Sequence, residues 1–405
     1  MDRTFNIKEL DWYLIILTLL LITIGFAVIY SATSAMGPQD INTCYKQVLW
    51  FFIGLIFVIL IFLLPTKVIY AFAYFAYILA LLGLIIVLFQ TKTRGVERWI
   101  GFAGISIQPS EFAKIAVITA LARFLSQSKI NQNRLRDLVG TFILVGIPIY
   151  LVNKQPDLGT SMVFLALIIP MLYWTGVPTF TLFVLISPFI STIASFNFYF
   201  FLIWMLIVVG VLILSKKPLI VIIGLFAVNI SVGIAADPLW KTLTPYQQKR
   251  ILSVLDKEKD PMGASYQGLQ SLYAIGSGGL EGKGFKKGTQ SQLRFLPKQH
   301  NDFIFSVLGE ELGFVGVSIV LLLFYLLIVH LITIAANLKN IFESLFVVGY
   351  ATILLFHVSV NTLMTVGWFP VTGLPLPFLS SGGSFLITLM IMTGIVLNFN
   401  YNKNR

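Results

Sequence analysis

Three short stretches of this sequence place ionisable side chains at the edges of apolar segments, where a charge is costly unless it meets a partner or a polar cavity. In Gln108-Pro109-Ser110-Glu111-Phe112-Ala113-Lys114 the proline suits the first turn of a helix, and Glu111 and Lys114 share one face of it. Two readings follow: an internal ion pair that fixes helix packing, or a pair that faces an anionic substrate. Gln155-Pro156-Asp157-Leu158-Gly159-Thr160 opens another apolar segment, and Asp157 can cap its helix or take part in chemistry. Lys298-Gln299-His300-Asn301-Asp302-Phe303-Ile304-Phe305 puts Asp302 where a polar loop enters an apolar run. A carboxylate at such a boundary can be tuned by burial towards the range of a general base. An N-cap is the plainer reading of Asp302, but it leaves the crowding of His300, Asn301, Glu310 and Glu311 unexplained.

The elements that must position these groups are membrane helices. Of 405 residues, 57% are hydrophobic, 14% aromatic and only 11% charged, and the mean hydropathy is +0.89. That balance excludes a soluble globular enzyme. With 28 Lys+Arg against 17 Asp+Glu the net charge is +11, but the cations fall mostly between apolar runs. They set topology or meet anionic lipid, and no nucleic-acid partner is implied. The one cysteine, Cys44, allows no internal disulfide, and His300, His330 and His357 are too scattered for a metal-ligand cluster.

About twelve spans can be read: Trp12–Tyr30, Gln47–Leu64, Ile69–Phe89, Pro109–Leu125, Leu138–Val152, Gly159–Thr175, Thr179–Phe196, Tyr199–Leu214, Pro218–Ala235, Phe303–Ala335, Phe342–Val366 and Ser384–Phe399. The fold class is therefore all-α and polytopic, a single membrane domain over 1–405. A cytoplasmic N-terminus puts Arg3, Lys8, Lys67, Lys129, Arg134, Arg136, Lys216, Lys217, Lys339, Lys403 and Arg405 inside, with the C-terminus also cytoplasmic. Lys92, Arg94, Arg98 and Lys154 then lie outside against the trend, where they could meet an anionic substrate. Residues 236–302 form a large extracytoplasmic loop with a basic stretch at Tyr246–Leu252 and a glycine-rich run from Gly276 to Gly288. The run is not a P-loop, because Lys283 is followed by Gly284 and not by Ser or Thr. Its interleaved aromatic and aliphatic residues predict an ordered outer cap. Gly367–Ser384 is too rich in Pro and Gly for a helix, and irregular backbone at membrane depth needs protein or a wet cavity around it.

Taken in order, Gly101–Lys114, the Gln-Pro-Asp-Leu-Gly-Thr run, the stretch from Asp256 through Gly263-Ala264-Ser265-Tyr266-Gln267, Ala274–Leu280, Gly288–Pro297, His300 and Asp302-Phe303-Ile304-Phe305 resemble the SEDS family of cell-wall polymerases, the RodA and FtsW proteins. The resemblance covers nearly the whole chain, and its Gly288–Phe305 part is closer to the elongation type, RodA. It implies a peptidoglycan glycosyltransferase of the bacterial cytoplasmic membrane that joins the disaccharides of lipid II to a nascent glycan strand. Its partners would be a class B penicillin-binding protein and other elongation-complex proteins. The resemblance makes Asp302 the general base or, in the alternative, a ligand of a divalent cation (Mg or Mn), with no organic cofactor. It brings Trp99 to the substrate, and it makes Arg98, Glu111, Lys114, Lys154 and Asp157 candidates for binding the diphosphate or supporting that contact. A lipid II flippase or a non-catalytic scaffold would need similar residues, and both stay open at this point.

This chain departs from the family pattern in three places. Ser106 stands where an arginine is frequent, so Arg98 or Lys154 would have to take over a phosphate contact. Trp368 and Phe385 replace an aliphatic and a small residue in the C-terminal signature. Two spans exceed the ten of the family core, and residues 197–235 are read as an inserted helical hairpin whose even number of crossings keeps Asp302 outside.

Overall fold

The computed structural model describes residues 7–34, 38–89, 98–102, 105–127, 135–242, 248, 266–293, 295, 296 and 299–403. Lys92, Arg94, Lys129, Arg134, Asp256, Asp260 and most of the stretch 246–252 lie outside these residues. The described part is built from α1 (Trp12–Ser34), α2 (Pro38–Leu63), α3 (Thr66–Phe89), α4 (Pro109–Gln127), α5 (Leu135–Lys154), α6 (Leu158–Trp174), α7 (Thr179–Ala194), α8 (Phe198–Leu214), α9 (Leu219–Thr242), α10 (Tyr266–Gly278), the single turn α11 (Thr289–Gln292), α12 (Ile304–Asn337), α13 (Ile341–Thr365) and α14 (Gly383–Asn402). A two-stranded antiparallel hairpin, Ile100–Phe102 with Ile105–Ile107, precedes α4. Among the described residues, seven helices are long and apolar enough to cross a membrane, and α5 to α8 supply shorter apolar segments. The remaining span, α4, carries Glu111, Lys114 and Arg123. Large apolar side chains such as Phe52, Phe75, Ile78 and Tyr150 stand exposed, as lipid-facing surface requires. The molecule is a multi-pass membrane protein.

Residues 1–171 and 257–405 group as one unit, and residues 172–256 as another. In the first, α2 lies along α14 and α3 along α4. At one end Asp11 caps α1 through the Leu14 N–H (3.0 Å) and also accepts from His330 of α12 (2.9 Å) and Asn400 of α14 (2.7 Å). Three helix ends thus meet on one carboxylate.

In the second unit, α7 to α9 pack through a buried polar knot. Trp204 Nε1 donates to Ser191 Oγ (2.9 Å), and Ser191 donates to Asn229 Oδ1 (2.7 Å). Such bonds hold apolar helices together where lipid offers no hydrophobic drive. The apolar part of α9 ends at Ala236, one residue from the boundary read at Ala235, and the helix itself runs on to Thr242.

The long helix α12 is broken. Gly313 has φ 64° and ψ −165°, a conformation open to glycine, and the break frees backbone groups that must be satisfied elsewhere. The glycine-rich run supplies the partners. Lys283 and Gly284 donate to the carbonyls of Glu310 and Glu311 (both 3.0 Å), while Phe314 and Val315 donate to the carbonyls of Gly279 (2.9 Å) and Leu280 (3.1 Å). Residues 279–284 therefore act as a splint across the break, which is what the glycines of this run are for.

Candidate functional site

Asp302 lies half-exposed in the turn that leads into α12. The helix begins at Ile304 with Phe303 as its N-cap, so Asp302 is not the cap. Its backbone is held from outside its own segment. The carbonyl of His300 accepts from the Ser381 N–H (2.9 Å), that of Asn301 from Ser380 Oγ (2.7 Å), and that of Asp302 from Asn361 Nδ2 (2.9 Å). Ser381 Oγ also bonds Asn301 Oδ1. The donors come from α13 and from the irregular segment 367–382, whose Leu374, Leu376, Phe378 and Leu379 are buried. Gly373 (φ +75°) faces the carboxylate: a Cβ there would sit 3.5 Å from Asp302 Oδ2.

The glutamates expected to crowd Asp302 are spent elsewhere, which corrects that expectation. Glu310 accepts from Lys283 Nζ (2.8 Å), Thr289 Oγ1 (3.1 Å), Gln290 N (2.8 Å) and Ser291 N (3.0 Å). It anchors the first turn of α11, where a negative charge suits the free N–H groups. Glu311 accepts from Ser31 Oγ of α1 at 2.5 Å.

Glu111 and Lys114 do pair, deep inside the protein. Lys114 Nζ donates to Glu111 Oε1 (3.0 Å) and Oε2 (2.9 Å), and Lys114 is 0% and Glu111 4% exposed. A third contact joins Lys114 Nζ to His357 Nε2 at 3.2 Å, while His357 Nδ1 lies 3.0 Å from the Pro375 carbonyl. A carbonyl can only accept, so Nδ1 carries the proton and Nε2 receives the lysine's third N–H; the imidazole is neutral. Phe385 completes the group, stacked on His357 with centroids 4.9 Å apart and with Lys114 Nζ 4.9 Å from its ring. The bulky residue at a usually small position therefore covers a buried cation. This geometry supports the structural reading of the pair over a substrate-facing one.

Arg98 and Asp157 come together in a second cluster. Arg98 Nε donates to the Gln155 carbonyl (3.0 Å), its Nη2 to the Pro156 carbonyl, and its Nη1 lies 3.8 Å from Asp157 Oδ1. Asp157 accepts from the Thr160 N–H (3.2 Å) and Thr160 Oγ1 (3.0 Å), so it caps α6 and is part of the Arg98 ion pair as well. Gln108 Nε2, at 3.5 Å, ties the start of α4 to the same carboxylate. Lys154 is exposed, with its ammonium 5.5 Å from the Tyr150 ring. Trp99 is half-exposed beside Arg98.

Sequence reasoning missed Asn361 and His357. They sit four residues apart on one face of α13 and take the consecutive carbonyls of Leu374 (2.8 Å) and Pro375 (3.0 Å). The available signal was a pair of polar side chains at helical spacing inside an apolar span.

The chain matches the model of the family of FtsW, RodA and SpoVE, described as cell cycle proteins, over residues 11–203 and 200–405. It is 36% identical over 403 residues to peptidoglycan glycosyltransferase MrdB of Escherichia coli K12, covering 99% of this chain and 96% of that one. Identity is 32% to peptidoglycan glycosyltransferase RodA of Treponema pallidum, covering 98% of this chain and 99% of that one, and 32% to stage V sporulation protein E of Bacillus subtilis, covering 96% of each. Among solved structures, the fold is similar to a chain of a peptidoglycan synthase complex that coordinates polymerization and crosslinking (TM-score 0.75, 29% identity, 98% of this chain and 99% of that one). It is also similar to the rod shape determining protein RodA of Thermus thermophilus (TM-score 0.64, 27% identity, 98% of each).

Proposed function

Because the chain belongs to the family of FtsW, RodA and SpoVE, we propose that it is a peptidoglycan glycosyltransferase that polymerises lipid II into glycan strands during cell elongation. The relatives named MrdB and RodA carry that activity in their names. The observation that carries the chemical part of the reading is Asp302, a half-exposed carboxylate on a backbone fixed at three successive carbonyls. Lipid II holds its sugar in α-linkage to a diphosphate, and the product bond is β-1,4. One displacement achieves that inversion: the acceptor hydroxyl oxygen bonds to the anomeric carbon, the bond to the diphosphate breaks, and the hydroxyl proton passes to Asp302. A fixed base saves the entropy of aligning it at each turnover.

The leaving diphosphate needs positive charge. Lys154, which is exposed, and Arg98, which is partly exposed next to Trp99 in the sequence, take that role, whereas Glu111, Lys114 and Asp157 hold the helices. If a divalent cation, Mg or Mn, takes part, Asp302 is its protein ligand. No group of three His, Cys, Asp or Glu gathers among the described residues, so the cation would rest on one carboxylate and the substrate's phosphates, an ordinary pattern for Mg. The termini lie in the cytoplasm and Asp302 at the outer face, and a class B penicillin-binding protein of the elongation complex cross-links the product. Purified protein given labelled lipid II tests the reading. Glycan strands from wild type and none from Asp302→Ala support it; no strands from wild type with its partner, or lipid scrambling in vesicles that survives Asp302→Ala, would replace it with transport.

A further inference from the structure

The geometry points to Asn361 as the positioning residue for the Asp302 carboxylate. This inference rests on the proposed role of Asp302. Asn361 is 0% exposed, and its amide nitrogen uses both hydrogens: one goes to the Asp302 carbonyl at 2.9 Å and the other to the Leu374 carbonyl at 2.8 Å. The assignment of its amide is fixed by these partners, because the reverse orientation would press an oxygen against two carbonyl oxygens. Its own oxygen has no partner among the described residues. An apolar side chain of the same size would fill the space but leave the carbonyls of Asp302 and Leu374 without this donor, so the asparagine is here for its hydrogen bonds.

The two carbonyls that Asn361 joins flank the reactive group. Asp302 carries it, and Gly373, the neighbour of Leu374, borders Asp302 Oδ2. Holding the carbonyl of Asp302 fixes the peptide plane between Asp302 and the N-cap Phe303, after Ser381 and Ser380 have fixed the two before it. Only the side-chain torsions of Asp302 are then left to place the carboxylate. Both clamped segments are irregular, and beside the direct bonds that Ser380 and Ser381 make between them, the Asn361 amide ties both to the rigid helix α13. Asn361 acts through Asp302 and touches no substrate in this account.

The test is steady-state polymerisation of labelled lipid II by the full-length protein with its partner, together with its melting temperature in detergent. Variants are Asn361→Leu, which keeps size and removes both donors, and Asn361→Ser, which keeps one donor. Misplacing a base by an ångström costs on the order of 10- to 100-fold in turnover, so Asn361→Leu is expected to lose about that in kcat with KM for lipid II near wild type and a melting temperature lowered by the loss of two buried hydrogen bonds, and Asn361→Ser to lose less of both. If Asn361→Leu does not fold, the Asn361→Ser result alone decides, a kcat loss at unchanged KM supporting the clamp. Wild-type kcat in either folded variant overturns it, as does a kcat loss that comes with a rise in KM. A wild-type protein that makes no glycan at all overturns the reading of Asp302 itself, a different outcome from active wild type with unaffected variants.

Discussion

Lys114 Nζ lies 3.2 Å from His357 Nε2 inside the helix bundle, beside its two contacts with Glu111 at 3.0 and 2.9 Å. The lysine's three N–H groups are thereby all used, and a neutral imidazole relays the link to the Pro375 carbonyl. One buried cation connects α4, α13 and the irregular segment that borders Asp302.

Breaking this link from one side should be far worse than removing it whole. Glu111→Gln or Lys114→Met alone leaves a buried charge unmatched and should destabilise by about 3–5 kcal/mol, while the double replacement should recover most of that loss. Thermal unfolding in detergent of the two single variants and the double variant measures this directly. Equal losses in all three would mean that the pair is solvated in the working protein.

Glu310→Ala should loosen the segment 283–292 without unfolding the bundle. It removes four accepted hydrogen bonds, one of them from Lys283, and charge-assisted bonds are worth roughly 1.5–3 kcal/mol each. Hydrogen exchange should quicken in residues 283–292 and stay unchanged in α13. Uniform exchange across both would contradict the role assigned to Glu310.

At Gly313, a side chain meets both a forbidden backbone conformation and the splint of residues 280–282. Gly313→Ala should cost about 1–3 kcal/mol from strain alone. A lowered melting temperature is the expected readout, and a wild-type value would show that α12 can straighten.

The fold and the outline of the site were legible to different degrees. Each of the apolar runs coincides with a helix because a bilayer leaves an apolar segment few alternatives, although only seven of those helices among the described residues are long and apolar enough to cross a membrane. The Pro/Gly composition of 367–384 matches irregular backbone up to Gly382. The splint across Gly313 was not legible, because backbone-to-backbone bonds between 279–284 and 310–315 leave no side-chain pattern. Asn361 and His357 are harder to read from sequence because a neutral polar group in a span stands out less than a formal charge does. Glu310 was misread for the reverse reason: its charge stood out, but a carboxylate eight residues beyond Asp302 reaches a different part of the loop.

Acid should weaken the junction of α1, α12 and α14. Burial of Asp11 raises its pKa, but the bonds from His330, the Leu14 N–H and Asn400 outweigh this and hold it below its ordinary value. A carboxylate with a depressed folded-state pKa stabilises above its unfolded value, about 3.9, and loses that contribution as pH falls through the lower folded one. Melting temperature followed from pH 6 down to about 3 should therefore fall more steeply in wild type than in Asp11→Asn. Parallel curves would contradict the depressed pKa.

The most direct test of the account is the isosteric change Asp302→Asn, measured for both lipid II binding and polymerisation in the presence of the partner. A positioned general base contributes about 10²- to 10⁴-fold to rate. The variant is predicted to bind lipid II as wild type does while its turnover falls by that factor. Turnover by Asp302→Asn within about three-fold of wild type would show that the proton goes elsewhere, and the central claim would fail.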